Sequence, residues 1–241
     1  MKHVARDQAD GLRRMLTGPA GQVLLLAGPA CDAALQADLA AALGALGRTV
    51  AVVDGPALAR LGAAGVDMLE TMRAETDTLL LGGGTARATA MQTIAAFHHH
   101  ADQLLVAFAD APDGIKQSYL LLKGLPKAAA GTLPVRVLVT EARAAQSALH
   151  MYGNLAATVR EYLGADIALA GYIPADTHLA MARALDKPVV EAFPAAPAAL
   201  ACRQAAREIA SWRSAAALPA TAWQAPVSQS LDPARQPERI D

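Results

Sequence analysis

At 241 residues and 24.8 kDa the chain is long enough to bury one large core, and its formal net charge of −1 and pI of about 6.6 exclude a global field that would draw it to nucleic acid or anionic lipid. The hydrophobic fraction is 54%, yet no apolar run approaches the ~20 residues of a membrane span. Arg6, Asp7 and Asp10 stand where a secretory leader would be apolar, so the expectation is a cytoplasmic protein, and Cys31 and Cys202, without metal-type spacing, read as reduced thiols.

Residues 1–17 read as a short separate helix, with Asp7 as its cap, Asp10 in the first turn and Leu12, Met15 and Leu16 on one stripe before Gly18-Pro19. A helix of about ten residues is not stable alone in water, so it needs a surface, either its own domain or a partner. From Gln22 to Asp54 the pattern is strand, turn, helix, strand: an apolar run Val23–Ala27, a turn Gly28-Pro29-Ala30-Cys31-Asp32, Leu35, Leu39, Leu43 and Leu46 at helical spacing, then Val50–Val53. That is the opening unit of a parallel α/β sheet. In nucleotide-binding versions the first turn is Gly-rich, its N–H groups surround phosphate, and a Lys and a Ser/Thr complete the site. Here the turn has one Gly, a Pro without an N–H, no Lys and no hydroxyl, and Asp32 stands where phosphate would sit.

The pattern continues with a helix from Leu58 through Arg73 and a strand from Thr78 to Leu81 running into Gly82-Gly83-Gly84-Thr85. A nucleotide hydrolase ends this strand in an Asp that serves Mg²⁺; here Gly82 holds the place, and the glycines are either an anion nest or a tight turn. A helix from Ala90 to Ala101 carries His98, His99 and His100, which point about 100° apart and so do not share a metal as an i, i+4 pair does. Strand Leu104–Ala109 leads to Asp110 and Asp113, either site carboxylates or turn and N-cap residues, and then to a helix from Ile115 to about Lys127. Strand Val135–Thr140 precedes a long helix with Leu149, Tyr152, Leu155, Val159 and Tyr162 as its apolar stripe. Strand Ile167–Ile173, a helix Leu179–Leu185, an extended Pro188-Val189-Val190 and a helix from Pro197 to Trp212 close an α/β domain over 21–213, and a Pro-rich tail over 214–241 follows. The predicted fold is a mostly parallel sheet with helices on both faces.

Stretches along the chain together resemble the MinD/ParA superfamily of P-loop NTPase-like proteins, in its flagellar-number-regulator branch, the FlhG/FleN type. They are Asp7-Gln8-Ala9-Asp10-Gly11-Leu12-Arg13, similar to the branch's D-Q-A-x-x-L-R motif; Gly171-Tyr172-Ile173-Pro174-Ala175-Asp176, similar to G-x-[IV]-P-x-D; and Lys187-Pro188-Val189-Val190-Glu191 with Pro194 and Pro197. The resemblance implies that the N-terminal motif activates a partner, the FlhF-type flagellar GTPase. Gln8 would then assist GTP hydrolysis in trans, Asp7 cap the helix, Leu12 anchor it and Arg13 reach an acidic partner group.

The family's ATP-site residues do not carry over. No Lys lies between Lys2 and Lys116, Gly82 replaces the Asp of the third strand, and Thr140 replaces the Asn of the base-recognising strand. Gly28, Asp54 and Gly82 are what remains at the nucleotide-binding positions, so the expectation is no ATP or Mg²⁺ cofactor, no metal, and no conventional ATP hydrolysis. The chain is then a regulator, a pseudo-ATPase working through its N-terminal helix, as a monomer or a nucleotide-independent dimer, with basal-body or transcriptional regulators as further partners and recruitment to a pole only through partners. Its tail lacks the basic amphipathic face of the family's membrane helix. The competing readings are a divergent MinD/ParA-like ATPase and a module for a different small anion.

Overall fold

The computed structural model describes residues 21–130 and 132–212. The expected helix over 1–17, with Asp7, Gln8, Leu12 and Arg13, and the tail over 214–241 lie outside the described residues. Strands and helices alternate: β1 (Gln22–Ala27), α1 (Ala33–Gly44), β2 (Val50–Asp54), α2 (Gly55–Ala59), α3 (Ala63–Glu75), β3 (Thr78–Gly82), α4 (Arg87–Phe97), β4 (Gln103–Ala109), α5 (Pro112–Lys123), α6 (Lys127–Ala130), β5 (Val135–Ala142), α7 (Ala145–Leu163), β6 (Ala168–Pro174), α8 (Thr177–Ala184), α9 (Val189–Ala192) and α10 (Pro197–Ser211). The six strands pair in parallel in the order β2-β3-β1-β4-β5-β6. β1 therefore lies where strands added early meet strands added late, and ligands of such sheets bind beyond the carboxyl ends of the strands at that point.

Strand alternation divides the core between the two faces. Val23, Leu25 and Ala27 of β1 pack with Leu69, Ile94, Phe97, Leu122 and Leu155 from α3, α4, α5 and α7. Leu24 and Leu26 pack with Leu35, Leu39 and Leu43 of α1 and with Cys202, Ala206 and Ile209 of α10. Both faces are covered, which is why the central strands read as continuous apolar runs.

Local departures from the sequence pattern have identifiable causes. The helix expected from Leu58 to Arg73 is broken into α2 and α3 at Gly62, whose φ of 57° and ψ of −126° suit a glycine. Helix α4 ends at Phe97, so His98 is its C-cap and His99 and His100 lie in the turn beyond it. On α7 the buried stripe is Ala148, Met151, Leu155, Val159 and Leu163, while Leu149 and Tyr162 are exposed. Leu46 lies past the end of α1 and is exposed too. Of the stretch Pro188-Val189-Val190, expected to be extended, Val189 and Val190 instead open the short helix α9.

Candidate functional site

The carboxyl edge of the sheet brings the predicted nucleotide-site residues together. Gly82 ends β3 in register with Leu26 of β1 on one side and Asp54 of β2 on the other, and Gly28 follows β1 directly. Gly28 has a φ of +113°, and a Cβ there would run into the carbonyl oxygen of Ala107, so only glycine passes this close to β4.

The turn after β1 spends its own hydrogen-bonding capacity. The Ala30 N–H donates to Ala107 O at 3.1 Å and the Cys31 N–H to Gly28 O at 3.0 Å, while Pro29 has none to give. Asp32 is the N-cap of α1, its Oδ1 accepting from Leu35 N at 2.8 Å, and its Oδ2 lies 3.2 Å from Arg183 Nη2 on α8. The helix N-terminus that would attract a phosphate thus carries a carboxylate of its own chain. One turn further on, Gln36 lies against Gly82 so closely that a Cβ at position 82 would collide with its amide. The Gly83 N–H is taken by Leu26 O at 2.7 Å, which favours the tight turn over the anion nest. Asp54 caps α2, accepting from Ala57 N at 2.9 Å. These residues do not fit a magnesium nucleotide: the turn offers no lysine, the third strand no carboxylate, and the N–H groups named are already bonded.

Beside the turn opens a cleft of about 630 Å³, between α1, the ends of β5 and β6, and α8. Leu35, Ile173 and Leu179 give it apolar walls, and Asp32, Asp38, Glu141 and Asp176 face a single cation, Arg183, among the lining residues. Asp176, of the Gly171–Asp176 stretch, caps α8 and also holds α10: it accepts from His178 N at 2.9 Å and Ala198 N at 3.0 Å, and His178 Nδ1 lies at 2.8 Å. Burial acts to raise its pKa, but the Ala198 and His178 N–H groups and the His178 ring outweigh that and hold the carboxyl below its usual range. Asp38, which burial pushes up against the opposing Val189 N–H and Arg183, accepts from Val189 N at 2.6 Å. Glu141 sits at φ 54° where the β5–β6 register shifts, a left-handed conformation held by a bulge beside the cleft.

The remaining candidates fall elsewhere. Asp110 is a link between strands and helix rather than an N-cap: its Oδ2 accepts from Ser147 Oγ and from Arg143 N, and the Ser147 hydroxyl first, with Arg143, holds its pKa low against burial. Asp113 lies in the first turn of α5. His98 bonds to carbonyls of its own helix and His100 pairs with Glu70, and no group of His, Cys, Asp and Glu suited to a metal occurs among the described residues. Cys31 and Cys202 are free and buried, and burial is the main cause pushing each thiol up to about 12, so both are unreactive. No helix among the described residues is long and apolar enough to cross a membrane. Sequence reasoning missed Gln36, Asp38 and Arg183. Gln36, one turn after Asp32, was the only one of these with a local signal, since that spacing puts both on one helix face.

No protein-family model matches the chain. The fold is that of the MinD/ParA P-loop proteins: the Pyrococcus furiosus cell division ATPase MinD superposes with a TM-score of 0.57 at 15% identity over 78% of this chain and 98% of that one. A ParA family ATPase from Chlorobium tepidum superposes at 0.55 and 10% identity over 78% and 98%. Within that class the sequence is similar to the antiactivator FleN of Pseudomonas aeruginosa, 28% identical over 120 residues. The match takes in 50% of this chain and 42% of FleN, so the chain aligns with less than half of that relative's length. The fold is thus MinD/ParA-like, and over half of the chain the sequence is similar to FleN.

Proposed function

We propose that this chain is a FleN-type flagellar regulator working as a pseudo-ATPase, a MinD/ParA scaffold whose nucleotide cradle is filled by its own side chains and whose output is the N-terminal Asp7–Arg13 motif acting on an FlhF-type GTPase. The observation that carries the reading is the self-capped turn, with Asp32 on the α1 N-terminus and Gln36 against Gly82, where an ATPase places phosphate and a metal-serving carboxylate. Without those groups the scaffold has no nucleotide-driven cycle, and regulation passes through partner contacts. In that contact Gln8 orients the attacking water of the GTPase, Asp7 caps the motif helix, and Leu12 and Arg13 anchor it.

The test is GTP hydrolysis by the flagellar GTPase alone, with this protein, and with its Gln8→Ala variant, all without ATP. Stimulation by the wild type that Gln8→Ala removes is the expected result. Equal rates in all samples would sink the partner-activating role. The second reading, a divergent MinD/ParA-like ATPase, is favoured by the position of the 630 Å³ cleft at the carboxyl edge of the sheet. It requires turnover of ATP that Asp54→Ala abolishes.

A further inference from the structure

The cleft retains polar atoms that the fold does not use. Thr140 is 8% exposed, lines the cleft, and by alternation shares the α1-facing side of β5 with Leu138. Its hydroxyl has no hydrogen-bond partner among the described residues. Asp38 is 6% exposed and also lines the cleft; Oδ1 accepts from Val189 N, and Oδ2 has no hydrogen-bond partner among the described residues. Neither atom is sealed off by the fold, so both stand open to a ligand or to water entering the cleft.

The charges around these atoms set the kind of ligand. Arg183 is engaged with Asp32 at 3.2 Å, and Asp176 with His178 and the α10 backbone. Arg183 also acts on Asp38 through space, but it is one cation against Asp32, Asp38 and Glu141, and an anion entering here would meet all three carboxylates. The volume of about 630 Å³ lies within the roughly 300–1,000 Å³ span of small-molecule sites, and Leu35, Ile173 and Leu179 supply the apolar wall such sites have.

We propose that this cleft binds an organic cation, an ammonium or guanidinium group on a short apolar stem, with Asp38 Oδ2 and Thr140 Oγ1 as receiving atoms and the apolar wall covering the stem. The charge-assisted hydrogen bond to Asp38 supplies most of the selectivity. A free amine and the Arg or Lys side chain of a partner protein offer the same chemistry.

Calorimetric titration of the full chain with agmatine, and separately with a capped Ala-Ala-Arg-Ala-Ala peptide, tests this. Saturable binding with a dissociation constant on the order of 0.1–1 mM is expected for at least one probe. Asp38→Asn should weaken it about tenfold or more, and Thr140→Val by several-fold. Asn keeps an acceptor for Val189 N, and a melting curve for each variant separates lost binding from lost fold. Tighter binding of the peptide assigns the site to a partner's side chain, and binding of agmatine alone assigns it to a free cation. Failure of both probes to saturate, or affinities in folded Asp38→Asn and Thr140→Val within twofold of wild type, overturns the proposal. The proposal rests on the cradle reading above, and the two fail differently: ATP that binds and displaces the probe sinks the cradle reading, while silence from every ligand sinks only the cation site.

Discussion

Removing the Asp32 side chain separates a cap from a charge. Asp32→Ala deletes the acceptor of Leu35 N and the partner of Arg183 in one step. An N-cap lost to Ala costs about 0.5–2 kcal/mol. The Arg183 pair is half exposed on both sides, 52% and 44%, and adds at most about 1 kcal/mol. A total of about 1–2 kcal/mol should lower the midpoint of thermal unfolding by roughly 3–6 °C for a domain of this size. Asp32→Asn keeps the acceptor and loses only the charge, so it should retain most of that stability. Circular dichroism melts of the wild type and both variants at neutral pH decide the matter. An Asp32→Ala variant as stable as wild type would refute the cap, and Asn and Ala variants falling equally would show that charge rather than hydrogen bonding holds the turn.

Gly82→Asp, which places a carboxylate where an ATPase has one, should destabilise by about 1–3 kcal/mol, because the new side chain meets the Gln36 amide in a buried position. Adding Gln36→Ala should recover part of that loss, with a coupling of at least about 0.5 kcal/mol in a urea-unfolding double-mutant cycle. Asp176→Ala leaves the N–H groups of His178 and Ala198 without their acceptor and should cost about 2–4 kcal/mol at neutral pH. Since the folded pKa of Asp176 is lowered, its contribution is fully present above the ordinary carboxylate pKa and is lost as pH falls through the folded value. Urea midpoints of wild type and Asp176→Ala should therefore converge below about pH 4, and a gap that stays constant down to pH 2 would contradict the assignment.

Much of the fold is legible in the sequence where apolar periodicity and punctuation agree. The run Val23–Ala27, the turn at Gly28 and the spacing of Leu35, Leu39 and Leu43 give β1, the turn and α1 directly, because each leucine is the large side chain of its helical turn. The α7 stripe is misread because alanine is apolar without being large: Ala148 and Met151 take the core while Leu149, one position on, faces out. Alternation cannot reveal that Val189 and Val190 begin a helical turn, since their placement depends on Asp38, 151 positions away, holding the Val189 N–H. At the site, the absence of a lysine and a hydroxyl from the turn and of a carboxylate at the end of β3 follows from residue types alone. What stands in their place does not: the Arg183 pair to Asp32 also spans 151 positions, and the contact of Gln36 with Gly82 depends on how α1 lies on the sheet.

The account turns on a cradle filled by its own residues, and the most direct test is equilibrium binding of ATP with Mg²⁺ to the full chain, followed by calorimetry. The prediction is no saturable uptake up to millimolar nucleotide, in the wild type and in Asp32→Ala alike. Micromolar, magnesium-dependent binding of ATP to the wild type would contradict it.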